Sequence, residues 1–251
     1  MDKCNLVQTP MEAGLKLSKA AGEREIDASD YRRKIGCLRY MLHTRPDMSY
    51  CVGVLSRFMH CPKESHDVAI KKCLRYLRGT TSLGLTFQHT PSVVPRLIGF
   101  SDSSYNTNQD DGKSTMGHIF HLGESPITWC SQKQDTVALS SCEAEFMAGT
   151  EAPRQALWLQ ELLSEITGLP CEKVVIYIDN RSAIALTKNP RMRGEGQIEV
   201  EHVPGDKQKA NILTKALGRI KFREMRDFIG VQDLEKRVFK LGRENVGISL
   251  G

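Results

Sequence analysis

The hydrophobic period of the chain changes from helical to strand-like at about residue 83, and this change limits the folds that the sequence can adopt. After it come strand-like segments separated by Gly, Asn, Asp and Pro, namely LGLTF, RLIGFSDSSY, STMGHIFHLG and SPITWCSQKQ, which predict a run of antiparallel strands. A long helix is predicted from about Ser141 to Thr167, followed by an apolar strand in VVIYID, a short helix in RSAIALTK, a last strand in IEVEHV and a helix in KQKANILTKALG. The order β-β-β-α-β-α-β-α indicates an α/β fold with a mixed sheet and flanking helices.

Residues 1–82 are predicted to form a small all-helical segment in front of the sheet. Asp27 or Ser29 can cap the first helix, and the sequence Arg-Pro-Asp at 45–47 ends it and starts a second. A third helix is predicted from about Glu64 to Arg78. Its apolar side chains at helical spacing, Val68, Leu74 and Leu77, are expected to face inward.

Composition places the chain among ordinary globular proteins, with 40% hydrophobic and 26% charged residues. No stretch reaches the roughly 18 to 20 apolar residues of a membrane span, and the first residues lack the apolar core of a secretory signal. We therefore expect a cytoplasmic or nuclear protein with no membrane partner. The formal net charge of +5 permits contact with nucleic acid without requiring it. The eight cysteines form no CxxC pair, so we expect neither a disulfide scaffold nor a zinc site.

Three acidic residues occupy positions that an α/β sheet brings together. Asp102 lies on the first long strand, Glu145 in the first turns of the long helix, and Asp179 at the end of VVIYID. Carboxylates at the carboxyl ends of neighbouring strands converge on one edge, and they repel one another unless a divalent cation neutralises them. Magnesium prefers oxygen ligands of this kind, and paired magnesium ions promote phosphodiester hydrolysis.

Several longer motifs extend this interpretation. FSDSSY, KSTMGHIFHLG, ITWCSQKQ, VALSSCEAEFMA, ALWLQELL and IYIDNRSAIALTKNP together resemble the ribonuclease H region of copia-type retrotransposon polyproteins. Upstream, TPMEAGLKLS, YRRKIGCLRYMLHTRPDMSYCVGVLSRFM and AIKKCLRYLRGT resemble the segment that joins reverse transcriptase to that region. The resemblance covers about residues 5–230 in the order of the family. It implies a helical connection remnant at 1–82, a ribonuclease H-like domain at 83–230 and a basic tail at 231–251.

The resemblance also implies an activity and a set of site residues. Family members cleave the RNA strand of RNA–DNA hybrids with four acidic residues and Mg²⁺ or Mn²⁺. By motif, Asp102, Glu145 and Asp179 match three of these metal ligands, and Glu143 is a weaker candidate than Glu145. The fourth position, in KANILTK, is Asn211, which offers a carbonyl oxygen but no negative charge.

Three departures from the family pattern bear on activity. Asn211 replaces the fourth acid, Pro153 falls inside the long helix where it should kink or interrupt it, and the family's additional helical stretch after Asn189-Pro190 is missing. We therefore expect a ribonuclease H-like protein with impaired activity. A catalytically inactive, domesticated module that binds nucleic acid or protein is the alternative.

Two further features leave alternatives open. Arg75-Tyr76-Leu77-Arg78 spells the Arg-x-Leu-Arg pattern of secreted effectors, although it fits better as part of an amphipathic helix. His202 lies on the last strand, where this fold often has a mobile histidine, but the family motif does not include it.

Overall fold

The computed structural model describes residues 4–19, 22–87, 96–186 and 197–235. The helices are α1 (Ala28–Met41), α2 (Ser49–Ser56), α3 (Glu64–Arg78), α4 (Ser141–Thr167), α5 (Arg181–Leu186), α6 (Asn211–Thr214) and α7 (Arg219–Phe228), with a 3-10 helix at Pro46–Met48. The strands are β1 (Leu83–Leu85), β2 (Leu97–Ser104), β3 (Thr115–Leu122), β4 (Ser125–Lys133), β5 (Val174–Ile178), β6 (Ile198–His202) and β7 (Val231–Asp233). The predicted ends of α3 and α4 are those of the structure.

Five strands form one mixed sheet in the order β4-β3-β2-β5-β6. β2, β3 and β4 pair antiparallel, whereas β5 runs parallel to β2 and β6 runs parallel to β5. A tight turn joins β3 to β4, and Gly123 adopts a φ of 58° there, which favours glycine. The parallel pairs need crossovers, which α4 and α5 provide. The expected α/β fold with a mixed sheet and flanking helices is confirmed.

Helix α4 packs across β2 through a face of small side chains. Ala144, Ala148, Ala152 and Ala156 are all buried on this face. Alanines four residues apart lie on one side of a helix, so the backbone of α4 can approach the sheet closely. Pro153 lies within the same helix, but α4 continues without interruption from Ser141–Thr167. Of the two expected outcomes the interruption is therefore wrong, because packing of the buried face outweighs the roughly 3 kcal/mol cost of an interior proline, whereas the kink stays a prediction.

The core consists of two hydrophobic clusters on opposite faces of the sheet. One lies between α4 and the sheet and includes Leu97, Phe120 and Ile176. The other joins the front helices to the opposite face and to α6 and α7, and it contains both Val52 and Phe100. Buried side chains from either side of residue 82 thus share one cluster. The division into residues 1–82, 83–230 and 231–251 stays a prediction, and residues 236–251 lie outside the described part of the chain.

A buried polar network holds the front helices together. The Arg45 guanidinium pairs with Asp47 at 2.8 Å and also donates a hydrogen bond to the carbonyl oxygen of Thr80. The Tyr76 hydroxyl donates a hydrogen bond of 2.6 Å to Asp47 Oδ2, the same oxygen that the Arg45 guanidinium contacts at 2.8 Å. Because each buried charge has a partner, this network satisfies the groups that the turn between α1 and α2 takes out of water.

Three local predictions differ from the structure. Val68 is 65% exposed, because α3 turns His66, Ile70, Cys73 and Tyr76 towards the core instead. LGLTF does not extend the antiparallel run, since β1 pairs with β7 in a separate two-stranded sheet. The helix predicted in KQKANILTKALG is confined to Asn211–Thr214.

Within the described ranges, the helices fall short of the length and apolarity needed to cross a membrane.

Candidate metal centre

Three carboxylates converge where the carboxyl ends of β2 and β5 meet the start of α4. In the parallel pair of β2 and β5, Phe100 lies opposite Tyr177. Asp102 and Asp179 each follow this pair by two residues, so they lie side by side at the carboxyl ends of the two strands. Glu145 reaches them from α4, and its Oε1 accepts a hydrogen bond of 3.1 Å from the backbone N–H of Ser103. One oxygen from each acid lies within 4.8 Å of the others. The structure therefore brings together the three acids that the sequence singled out.

Burial leaves this charge poorly compensated. Asp102 is 1% exposed and Glu145 is 6% exposed. Asp102 Oδ1 and Glu145 Oε2 are buried and accept no hydrogen bond from any described residue. Burial, with Asp102 and then Asp179 nearby, raises the pKa of Glu145 to about 9. Burial and the Asp102 carboxylate also raise the pKa of Asp179, against the opposing charges of Lys215 and His202. Unpartnered, mutually repelling carboxylate oxygens are suitable ligands for a hard divalent cation.

Asn211 adjoins this cluster through the loop before α6. Its Nδ2 donates a hydrogen bond of 2.8 Å to the carbonyl oxygen of Gly205. A Cβ at Gly205 would lie 3.4 Å from Asp179 Oδ2, so this loop touches the acid cluster directly. Asn211 Oδ1 is buried and has no hydrogen-bond partner among the described residues. Asn211 thus contacts the loop beside Asp179 through its Nδ2 and keeps its carbonyl oxygen without a hydrogen bond in the described part of the chain.

Helix α6 contributes two residues that sequence reasoning missed. The Thr214 hydroxyl donates a short hydrogen bond to Asp102 Oδ2, and Lys215 Nζ lies 3.4 Å from the same oxygen. Lys215 has an extended backbone directly after α6, whereas Thr214 follows Asn211 in KANILTK at the i+3 spacing that places side chains on one face of a helix. That spacing was the available signal.

Two other candidates lie beside the cluster rather than in it. Glu143 Oε2 accepts a hydrogen bond of 2.6 Å from the backbone N–H of Leu139. Its carboxylate therefore binds the backbone just before the N-terminus of α4. Ser140 caps this helix by accepting from the N–H of Glu143. His202 is exposed and pairs with Ile178 in the sheet register, directly before Asp179. His202 is thus close to Asp179, and its charge lowers the pKa of that carboxyl. A catalytic role of His202 stays a prediction.

The chain is similar in sequence to several known proteins. A scan of the chain against protein-family models finds no match. The chain is 38% identical over 242 residues to the retrovirus-related Pol polyprotein from transposon RE1 of Arabidopsis thaliana, covering 90% of this chain and 16% of that polyprotein. It is 42% identical over 130 residues to the secreted RxLR effector protein 161 of Plasmopara viticola, covering 51% of this chain and 90% of that protein. Among solved structures, it is similar to the N-terminal ribonuclease H domain of Rv2228c from Mycobacterium tuberculosis, with 12% identity, a TM-score of 0.35, and coverage of 53% of this chain and 97% of that one.

The sheet order, the flanking helices and the three converging acids define a protein of the mixed α/β class with a cluster of carboxylates at one edge of its sheet. The similarity to transposon polyproteins extends through the front helices as well as the sheet. Over 90% of its length the chain is a homologue of copia-type retrotransposon Pol polyproteins, and it spans 16% of the length of the RE1 polyprotein.

Proposed function

We propose that this protein hydrolyses the RNA strand of RNA–DNA hybrids in a reaction that depends on Mg²⁺ or Mn²⁺, with an activity lowered by Asn211. The observation that supports this best is the convergence of Asp102, Glu145 and Asp179, whose oxygens approach within 4.8 Å of one another. A buried cluster of three acids is costly in a protein that binds no cation, because each carboxylate opposes the ionisation of the others.

In this proposal, Asp102, Glu145 and Asp179 hold the cation. A bound divalent cation would neutralise the cluster and supply the Lewis acidity that phosphodiester hydrolysis requires. The chain's own contribution is orientation: the Ser103 N–H holds Glu145, and the Thr214 hydroxyl holds Asp102. Such second contacts keep ligand oxygens in place, and small displacements of ligands cost large factors in rate.

Asn211 is the residue that we expect to limit this activity. Its Nδ2 bonds the loop at Gly205 beside Asp179, and its carbonyl oxygen has no partner among the described residues, so we take this oxygen as a candidate neutral ligand. A neutral amide contributes less to the binding of a divalent cation than a carboxylate does. Helix α4 continues without interruption through Pro153, which supports an intact position for Glu145. Of the three departures from the family pattern, Pro153 is therefore less expected to lower the activity.

The proposed partner is an RNA–DNA hybrid or another nucleic acid, and the proposed location is the cytoplasm or nucleus. The net charge of +5 favours association with a phosphate backbone. The effector interpretation has less support, because Arg75-Tyr76-Leu77-Arg78 lies in the last turns of α3. Tyr76 is fully buried there and Arg75 donates to the carbonyl oxygen of Asn5. This tetrapeptide is therefore part of the packed fold.

The test is cleavage of a labelled RNA–DNA hybrid with Mg²⁺ or Mn²⁺ by the full chain and by three variants. Asp102→Asn should abolish cleavage, whereas Asn211→Asp should increase it about tenfold or more, as expected for a restored charged ligand. Glu143→Gln is the matched control, since this carboxylate points to the Leu139 N–H, and it should leave the rate within about twofold.

The outcomes separate the two functions that the sequence left open. Cleavage that Asp102→Asn removes supports the nuclease. Absence of cleavage in the folded chain and in Asn211→Asp refutes it. Binding of the hybrid without cleavage would then favour an inactive nucleic-acid-binding module.

A further inference from the structure

One oxygen of Asp102 already has two donors. Oδ2 accepts a hydrogen bond from the Thr214 hydroxyl and lies 3.4 Å from Lys215 Nζ, while Oδ1 has no partner among the described residues. The carboxylate is 1% exposed, whereas the Lys215 side chain is 40% exposed. The ammonium therefore reaches a buried oxygen from the solvent side.

The position of these donors is set by contacts of α6 with the sheet. The Ser131 hydroxyl donates a hydrogen bond of 2.6 Å to the carbonyl oxygen of Leu213. A Cβ at Gly117 would come within 2.7 Å of Leu213 Cβ, so glycine in β3 is what allows α6 to lie so close. The Thr214 hydroxyl is also 3.2 Å from the carbonyl oxygen of Asn211, within the same helical turn. These contacts hold the Thr214–Lys215 pair over Asp102.

The charge balance of the cluster gives this contact a function. Three acids share the site, and Asn211 adds no charge. The Lys215 ammonium pairs with Asp102 and its field also reaches Asp179. A positive charge at this place compensates the acids when no divalent cation is bound, and it repels a divalent cation that approaches.

We propose that Lys215 is a resident counter-ion, a positioning residue that stabilises the acid cluster by occupying Asp102 Oδ2 and that competes with divalent-cation binding. The proposal rests on the cation site of the proposed function, and it concerns what sets the affinity of that site. The exposed stem of Lys215 lets the ammonium leave when a cation arrives. When a divalent cation binds, it then replaces the Lys215 ammonium beside Asp102.

The test is calorimetric titration of the full chain with Mn²⁺ and Mg²⁺, together with thermal denaturation in EDTA. Lys215→Gln should bind the cation about three- to tenfold more tightly, because removing a unit charge a few ångströms away removes its repulsion. The same variant should melt at a lower temperature than wild type in EDTA, since the acids lose their counter-ion. A merely structural role predicts the opposite sign for affinity, because a disordered site binds cations more weakly.

Two controls accompany this variant. Lys215→Arg keeps the charge and should keep the wild-type affinity within about twofold. Lys71→Gln removes an exposed lysine, with a side chain 65% exposed, that pairs with Asp67 on α3 and not with the cluster. Its affinity for the cation should be unchanged.

Each result bears on one proposal or on both. Tighter binding by Lys215→Gln alone supports the counter-ion, even if the hybrid is not cleaved. Unchanged or weaker binding by Lys215→Gln overturns the counter-ion and leaves the nuclease standing. Absence of cation binding by wild type and all variants overturns both. Far-ultraviolet circular dichroism verifies that each variant is folded before titration.

Discussion

Glu145→Gln should stabilise the protein in the absence of divalent cations. The wild-type carboxyl is 6% exposed, and its pKa is raised from 4.5 to about 9 by burial and by the two neighbouring aspartates. For an acid with a raised pKa, the folded state binds the proton more tightly than the unfolded state. Stability therefore falls as the pH rises from 4.5 towards 9.

The magnitude follows from the linkage relation. At about pH 7.5 the unfolded carboxyl lies about three pH units above its pKa, and each unit corresponds to about 1.4 kcal/mol, so the cost of keeping Glu145 in the folded chain is up to about 4 kcal/mol. Glutamine has the shape of the protonated acid and can still accept the Ser103 N–H bond. Glu145→Gln should thus gain up to about 4 kcal/mol at pH 7.5 and almost nothing near pH 4.5.

The assay is urea denaturation in EDTA across this pH range, with Glu143→Gln as the control. The control removes a nearby carboxylate that lies outside the cluster, so it should show no pH-dependent gain. Addition of Mn²⁺ should stabilise wild type and have much less effect on Glu145→Gln. Equal stability of the two proteins at pH 7.5, or a gain that does not change with pH, would refute the reasoning.

Three further predictions test the scaffold around the site. Gly117→Ala should cost about 1 to 3 kcal/mol in urea denaturation, because its Cβ would lie 2.7 Å from a side-chain carbon of α6. Gly53→Ala, whose nearest contact is 3.5 Å, should cost nothing. Burial lowers the pKa of His121 to about 3, so the unfolded chain binds a proton at this residue between pH 7 and pH 5 and the folded protein does not. The stability of His121→Leu relative to wild type should therefore increase by about 2 kcal/mol as the pH falls from 7 to 5. A stability difference that is independent of pH would contradict this. Tyr76→Phe should cost about 1 to 3 kcal/mol by removing the 2.6 Å hydrogen bond to buried Asp47, and an unchanged urea midpoint would show that this bond is dispensable.

Local patterns in the sequence were sufficient for most of the elements and for the three acids, although they did not predict α7 or β7. The ends of α4 follow from the Ser140 cap and the Gly168 end, where glycine adopts a φ of 67°. Asp102, Glu145 and Asp179 could be found because strand ends in an α/β sheet share one edge, so position along the chain predicts proximity. Asp27 is the cap of α1, one of the two residues expected there.

Other features depended on partners that are distant in sequence. β1 pairs with β7 although about 150 residues separate them, and no periodicity reports such a pairing. Val68 is exposed because the neighbours of α3 select its His66, Ile70 and Tyr76 face, whereas helical spacing alone allows either face.

The sequence by itself determined the class of fold, the chain order of the five strands of the large sheet and the identity of three candidate ligands, because these follow from side-chain periodicity, caps and spacing within each element. Only the tertiary structure decided that Thr214 and Lys215 contact Asp102, since that contact depends on Gly117 and Ser131 holding α6 against the sheet. The physical reason is that a residue's charge and propensity are local properties. The partner that compensates a buried charge is chosen by packing between elements far apart in the chain.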